Sequence, residues 1–272
     1  MVSKLAVIGG GVMAEAILQA ILAKGLINPA AVMVGEPVAA RRQELQDKLN
    51  VAAVAANNEA IAGAEVVLLA IKPQVAARVM SELAIAISPE ALVLSIVAGL
   101  VIDTIRQALP VQAVIRIMPN TPAQIGEGMS VWLATPETAS AQCAWAKSVI
   151  TALGEEVQVF EEKYLDMATA ISGSGPAYVF LFVEAIADAG VYLGFSRDIA
   201  TRLAWQTVRG SAIFGQQSGM HPAVLRNQVT SPGGTTAEAL DQLEQAGFRS
   251  GLSKAIQACY VKSQQLGKGA KA

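Results

Sequence analysis

At 272 residues the chain is long for one compact core and comfortable for two domains of about 100 to 200 residues each; roughly three quarters of its unfolded surface can be buried without disulfide or metal staples. Cys143 and Cys259 are its only cysteines and form no CxxC or Cys/His pattern, which argues against a metal site and fits structural thiols in a reducing compartment. A formal charge of −2, from 20 basic and 22 acidic residues mixed along the chain, leaves no basic stripe for a phosphate backbone and so excludes nucleic acid as an expected partner.

In chain order, Met1 to Gly25 has one lysine and then apolar residues, as a signal peptide does. Gly9-Gly10-Gly11 and Glu15 interrupt the apolar run, and no small-residue cleavage site follows. Lys4 to Ile8 reads as a buried strand, Met13 to Lys24 as a helix ended by Gly25, and Val32 to Val34 as a second strand. Further strands are expected at Val51 to Val54, Val66 to Ala70, Leu92 to Ile96 and Val114 to Met118, with helices between most of them. Continuous apolar runs of this length mean that both faces of the sheet are covered. Strands alternating with helices give an α/β fold, a doubly wound parallel sheet.

Beyond Tyr164 no strand-like run follows. Helices are expected at Tyr164 to Ile171, Pro176 to Leu193, Arg197 to Ser218, Pro222 to Gln228, Thr236 to Gln245 and Leu252 to Leu266. The domain boundary falls at Glu161 to Lys163, giving a doubly wound α/β domain over 1–162 and an all-helical domain over 163–272. Pro176 to Leu193 is apolar nearly all round, so it is either central to the second domain or covered by a partner chain. It carries Glu184 and Asp188, each costing about 2.5 to 3.5 kcal/mol at a bilayer centre. No membrane association is therefore expected, the two acids are expected to make buried hydrogen bonds to neighbouring helices or to a partner chain, and the location is read as cytoplasmic.

The first candidate site is Gly9-Gly10-Gly11-Val12-Met13-Ala14, which follows a strand, opens a helix and matches G-x-G-x-x-A. Gly9 permits a tight turn, Gly11 lets backbone approach a pyrophosphate, and the small Ala14 lets helix pack on strand. The phosphate would sit on the free N–H groups of Val12, Met13 and their neighbours. The plainer alternative is a glycine turn that only closes the strand-helix corner. Glu36, 22 positions after Ala14, stands where an acid would bond an adenosine ribose and repel a 2′-phosphate, which points to NADH. Arg41 and Arg42 follow closely and would pair with the 2′-phosphate of NADPH if Glu36 turned away.

Three more segments follow, the first two ending strands at the carboxyl edge, where open α/β sheets bind ligands, although singly each could be a strand end forced by proline. They are Ala70-Ile71-Lys72-Pro73-Gln74, Ser95-Ile96-Val97-Ala98-Gly99 and Arg116-Ile117-Met118-Pro119-Asn120-Thr121-Pro122. In the helical half stand Ser172-Gly173-Ser174-Gly175-Pro176 and Val229-Thr230-Ser231-Pro232-Gly233-Gly234-Thr235-Thr236. The latter reads as a tight turn feeding a helix, whose glycines and free N–H groups suit a small carboxylate. A capping box of Thr235 with Glu238 is the competing use of the same residues. The only histidine, His221, reads as a solvated turn residue.

Together, in this order and spacing, these motifs resemble the pyrroline-5-carboxylate reductases from end to end. The resemblance implies NADPH, with NADH as the alternative, bound by Gly9, Gly11, Val12, Met13, Ala14, Glu36, Arg41 and Asn57, and at the carboxyl edge by Ala70, Lys72, Pro73, Ala98, Gly99, Pro119 and Asn120. It gives the imino-acid substrate to Val229, Ser231, Gly233, Gly234, Thr235, Thr236 and Ser174. The Thr236 hydroxyl is thereby placed on the imine nitrogen. It also implies a Rossmann-type dinucleotide-binding domain over 1–162, two subunits interlocked through the helical domain, and a ring of dimers such as a decamer. Gly35-Glu36-Pro37 departs from the small polar residue with arginine that many such enzymes carry. Two rivals are weighed. A β-hydroxyacid dehydrogenase would need a lysine on the helix Pro176 to Leu193, which has none. A nicotinamide-binding sensor would not need the Gly-Gly-Thr-Thr loop.

Overall fold

The computed structural model describes residues 2–269. Their contacts form two compact units, one running to Ser174 and resuming at Ala258, the other Gly175–Gln257. The first is built on an eight-stranded sheet in the order β3-β2-β1-β4-β5-β6-β7-β8. Strands β1 (Leu5–Ile8), β2 (Val32–Gly35), β3 (Ala52–Val54), β4 (Val66–Leu69), β5 (Leu92–Ser95) and β6 (Val114–Met118) run parallel. Helices α1 (Val12–Ala23), α2 (Ala39–Leu49), α3 (Asn57–Ile61), α4 (Ala76–Leu83) and α5 (Ile102–Ala108) make the crossovers.

Successive strand residues point to opposite faces, and both faces are buried. Leu5, Val7, Val32 and Val34 pack with Ile17, Leu18 and Ile21 of α1 and Leu45 of α2. Ala6, Ile8, Val67 and Leu69 pack with Ile61, Val79, Met80, Leu83 and Ile105 from α3, α4 and α5. The continuous apolar strands of the sequence thus have the two-sided cover that they require.

The parallel sheet expected from the sequence is extended by β7 (Gly128–Ala134) and β8 (Gly154–Gln158), which sequence reading missed. Strand β7 lies antiparallel to β6 and β8 parallel to β7. Only nine residues separate β6 from β7. A parallel return needs a dozen or more, so the chain must turn straight back. Helix α6 (Ser140–Thr151) then gives β8 enough chain for a parallel return. Gly128 and Ser130 break the apolar run of β7, and β8, at the sheet edge, reads Gly-Glu-Glu-Val-Gln. Its charges suit an edge strand and conceal it from a hydrophobicity pattern.

Helix α7 (Lys163–Ala168) and the π-turn Thr169–Gly173 close the first unit's main segment. Leu165 and Ala168 of α7 join the cluster of Val131 and Leu133 from β7. The contacts therefore divide after Ser174, later than the composition change at Glu161 to Lys163.

The second unit holds α8 (Gly175–Tyr192), α9 (Arg197–Ser218), α10 (Pro222–Gln228), α11 (Thr235–Gln245) and the start of α12 (Phe248–Gly269). Helix α12 begins before the expected Leu252 because Gly247, at φ +72°, is the break, whereas Gly251 lies inside the helix. Gly190 of α8 lies so close to Ala200 of α9 that a Cβ would come within 2.9 Å of the Ala200 Cβ. Phe180 meets Trp205 edge-on with ring centroids 6.0 Å apart. Yet the buried cluster of this unit is only Val183, Ala187 and Ala204, with Ile186 and Val208 packed on it. Phe180, Leu181, Phe182, Trp205 and Phe214 are exposed. So small a core cannot offset the ordering entropy of this many residues, and the uncovered apolar surface calls for further cover.

Leu68 lies between β1 and β5 with 2% of its surface exposed. Leu68→Ala is expected to lower stability by about 2 to 5 kcal/mol in a urea titration followed by circular dichroism.

Candidate active site

The parallel strands reverse their order at β1 and β4, and such a switch point opens a crevice at the carboxyl edge. Gly9 ends β1 with φ +95°, and a Cβ there would lie 2.6 Å from the Ala70 carbonyl oxygen at the end of β4. Gly10 is pressed on the other side, where a Cβ would come within 2.7 Å of Leu45. Gly11 is the N-cap of α1 with no side chain capping the helix, and a Cβ on it would meet nothing within 4 Å. The start of α1 therefore presents N–H groups to an open face, which suits a phosphate. Ala14 is fully buried against the sheet.

Glu36 has not turned away. One oxygen of its carboxylate accepts from the Gly10 N–H at 2.9 Å and the other from the Val38 N–H at 2.9 Å. Arg41 donates from Nε to the Gly10 carbonyl at 2.6 Å, and pairs with Glu15 and, at 2.7 Å, with Glu44. Burial works against its charge, but the bonds to Glu44 and Glu15 outweigh it and hold the guanidinium above its ordinary pKa. Arg42 donates from Nη1 to the carbonyls of Glu36 and Pro37. The condition on which the arginines would take over a 2′-phosphate, a displaced Glu36, is thus not met.

Around the rest of the edge, Asn57 begins α3 and donates to Glu82 at 3.0 Å. Ala70 donates its N–H to the Ile8 carbonyl at 2.9 Å. Lys72 caps the short 3₁₀ turn Pro73–Val75. Gly99 has φ +74°, and a Cβ on it would lie 3.0 Å from the Gly267 nitrogen, so Ala98-Gly99 is held against the end of α12. Asn120 follows Pro119 at the end of β6 and spends its amide within the protein, on Ser172 and Met129.

Sequence reasoning gave no role to Arg116, although a single arginine in Val-Ile-Arg-Ile-Met was a signal of a buried ion pair. It is 3% exposed, bonds Glu162 at 2.7 Å and lies 3.7 Å from Asp166. Asp166 in turn accepts from Ser263 of α12 at 2.8 Å. Ser174 Oγ lies 3.2 Å from Cys259 Sγ on the same helix.

Within the helical unit, Thr230 to Gly234 form a tight turn in which the Gly234 N–H donates to the Ser231 carbonyl at 3.0 Å and Gly233 has φ +67°. Val229 just ahead of it is exposed. A Cβ on Gly234 would lie 2.6 Å from Ser231 Oγ. Gly234 itself, in extended conformation, is the N-cap of α11, with no side-chain cap. The alternative of a Thr235–Glu238 capping box is therefore overturned: Thr235 is already the first helical residue, and Glu238 falls one place too late to reach back. Among the described residues, no side chain caps the start of α11 beside Thr235 and Thr236.

In the single chain Glu184 and Asp188 are exposed, and Asp188 pairs with Arg197 across the α8–α9 turn. His221 is exposed in the turn before α10, as expected, and its Nδ1 also accepts the Ala223 N–H at 3.2 Å and caps that helix, with Pro222 at the first helical position.

A family model described as pyrroline-5-carboxylate reductase dimerisation matches residues 162–266, and one described as NADP oxidoreductase coenzyme F420-dependent matches residues 4–99. A pyrroline-5-carboxylate reductase of Synechocystis is 46% identical over 97% of this chain and 98% of its own. The chain belongs to the pyrroline-5-carboxylate reductase family. The crystal structure of a pyrroline carboxylate reductase of Plasmodium falciparum with NADP bound superposes with a TM-score of 0.88 at 30% identity, covering 97% of this chain and 98% of that one. A pyrroline-5-carboxylate reductase structure from Coxiella burnetii gives 0.88 at 32% identity, over 98% and 99%. The reductase dimerisation model spans the helical unit whose apolar surface is uncovered, so self-association accounts for the small core.

In this reductase the Glu36 carboxylate is bound directly to the glycine loop, at the Gly10 N–H. Replacing it by glutamine keeps an acceptor for Gly10 and removes the charge. Glu36→Gln is expected to raise kcat/KM for NADPH relative to NADH by on the order of tenfold, read from parallel initial rates, because a charge pair at short range near a surface contributes a few kcal/mol at most.

Proposed function

We propose that this chain reduces 1-pyrroline-5-carboxylate to L-proline with NADPH, the last step of proline biosynthesis, with NADH as the alternative donor. The observation that carries the reading is the match to named reductases over nearly the whole of both chains. Bound nicotinamide supplies the hydride. The protein's share is to bind, orient and protect.

The glycine loop fits the cofactor: an uncapped helix start at Gly11, with an open face, receives the pyrophosphate through Val12 and Met13. Glu36, Arg41 and Asn57 serve the adenosine side. Ala70, Lys72, Pro73, Ala98, Gly99 and Pro119 line the crevice at the carboxyl edge. The uncapped start of α11 receives the substrate carboxylate through Ser231, Gly233, Gly234 and Thr235, with Val229 beside them, a contact worth about 0.3 to 2 kcal/mol. Ser174 is given to the substrate as well. The imine carbon accepts hydride most readily when its nitrogen is protonated, and the Thr236 hydroxyl is the group that orients that nitrogen.

Residues 163–272 act as the self-association and substrate domain and 1–162 as the cofactor domain. The exposed apolar face of α8 and α9 is covered by a second copy in an interlocked dimer, with a decamer as the larger ring. The charges of Glu184, Asp188 and Arg197 on or beside that face speak for protein cover over lipid. The enzyme works in the cytoplasm, without nucleic acid or membrane as partner.

Loss of reduced-nicotinamide absorbance with pyrroline-5-carboxylate, and proline as product, is the expected result. Binding of both cofactors without any oxidation would favour the sensor instead. Thr236→Ala is expected to lower kcat on the order of a hundredfold, by analogy with loss of one oxyanion donor; an unchanged kcat would remove its role. Light scattering at micromolar concentration should return a dimer or a multiple of it, and a monomer would overturn the interlocked arrangement.

A further inference from the structure

The helical run Lys163–Tyr192 is interrupted by the π-turn Thr169–Gly173. The Ser174 N–H donates five residues back to the Thr169 carbonyl at 2.8 Å. A π-turn inserts one extra residue into the i→i−4 ladder, and such turns need outside partners for the groups that they displace. Here the Ser172 carbonyl takes its partner from another element: Asn120 Nδ2 donates to it at 3.0 Å. The other end of the same amide, Oδ1, accepts from the Met129 N–H of β7 at 2.9 Å.

The orientation of the amide is fixed by its partners, since a backbone N–H can only donate and a backbone carbonyl can only accept. Gly173 completes the contact: a Cβ there would lie 2.6 Å from Cε of Met118, two residues before Asn120. The end of β6 thus grips the π-turn at two adjacent points, one polar and one steric. The Asn120 amide has a partner at each end within the protein.

We propose that Asn120 is a positioning residue for the substrate side: it clamps the π-turn and so sets the place of Ser174, rather than binding the cofactor through its amide. The proposal rests on the reading above in giving Ser174 to the substrate. Asn120→Ala removes both halves of the clamp. Asn120→Asp keeps the acceptor for Met129 but cannot donate to the Ser172 carbonyl when ionised, and agreement between the two variants rules out an effect of the added charge.

Both variants are expected to raise KM for pyrroline-5-carboxylate about five- to tenfold, the worth of roughly one hydrogen bond. The Kd for NADPH, from fluorescence titration, should stay within about twofold. Amide exchange at Ser174, read by hydrogen–deuterium exchange on the full-length protein without ligands, should accelerate about tenfold. A merely structural role would move cofactor and substrate binding together. Weakening of NADPH binding as large as the rise in KM would therefore mean either a general structural role or a direct cofactor contact, and both overturn the proposal. Unchanged exchange at Ser174 would overturn the clamp, and faster exchange with an unchanged KM would overturn its service to the substrate. Should the unaltered protein reduce no imine at all, the reading of the reaction falls while the exchange result still decides the clamp.

Discussion

The approach of Gly9 to the carbonyl of Ala70, closer than any side chain permits, is the constraint on which the cofactor end of this protein depends. It lets β1 and β4 run side by side to their last residues, where the strand order reverses. Helix α1 can then begin directly at the crevice with its N-cap uncovered. A side chain at Gly9 would push the two strand ends apart and turn the helix start away from the space that it serves. Glu36 and Arg41 hold the same loop from the far side, through the N–H and the carbonyl of Gly10 respectively. One glycine residue is thereby held at its N–H by a carboxylate and at its carbonyl by a guanidinium, and such charge-assisted bonds are stronger than neutral ones.

The last turns of α12 hold the segments that follow β5 and α7. Cys259, Ser263 and Gly267 are four residues apart and so share one helix face. They meet Ser174, Asp166 and Gly99 in turn. Asp166 is also close to the buried Arg116 of β6, whose main partner is Glu162. Glu162 in addition accepts the Ile102 N–H at the start of α5. A buried guanidinium with two carboxylates is weak evidence for net stability, because desolvation opposes the attraction. Its consequence here is register: β6, α5, α7 and α12 are tied to one charge, and the loops that they carry line the edge of the sheet.

The helical unit follows a different logic. Its helices are well marked, with Ser196 capping α9, His221 capping α10 and Gly219 in left-handed conformation ending α9. Their buried apolar cluster is nonetheless a handful of side chains, while Phe180, Phe182, Trp205 and Phe214 remain exposed. Local signals can specify helices without supplying the burial that stabilises them. The dimerisation model matched by this half points to self-association; under the interlocked dimer proposed above a second copy would provide that burial, and the folding of this half would then depend on protein concentration.

Sequence alone determined the six parallel strands and the glycine turn, because runs such as Leu5 to Ile8 and Val66 to Leu69 are apolar without alternation and glycine stands where a strand must hand over to a helix. It also determined the family, since the order of the strand-end motifs and of the Gly-Gly-Thr-Thr loop is specific even where each motif is not. Tertiary structure decided what spacing cannot encode. Strand β8 is polar because it lies at an edge, and β7 runs backwards because its connection is short. Thr235 lost its capping role because the chain enters α11 at Gly234. Asn120 and Arg116 acquired theirs from partners 52 and 46 positions away. Local pattern records which face of an element is buried; the partner of a buried polar group depends on which distant segment the fold brings to it.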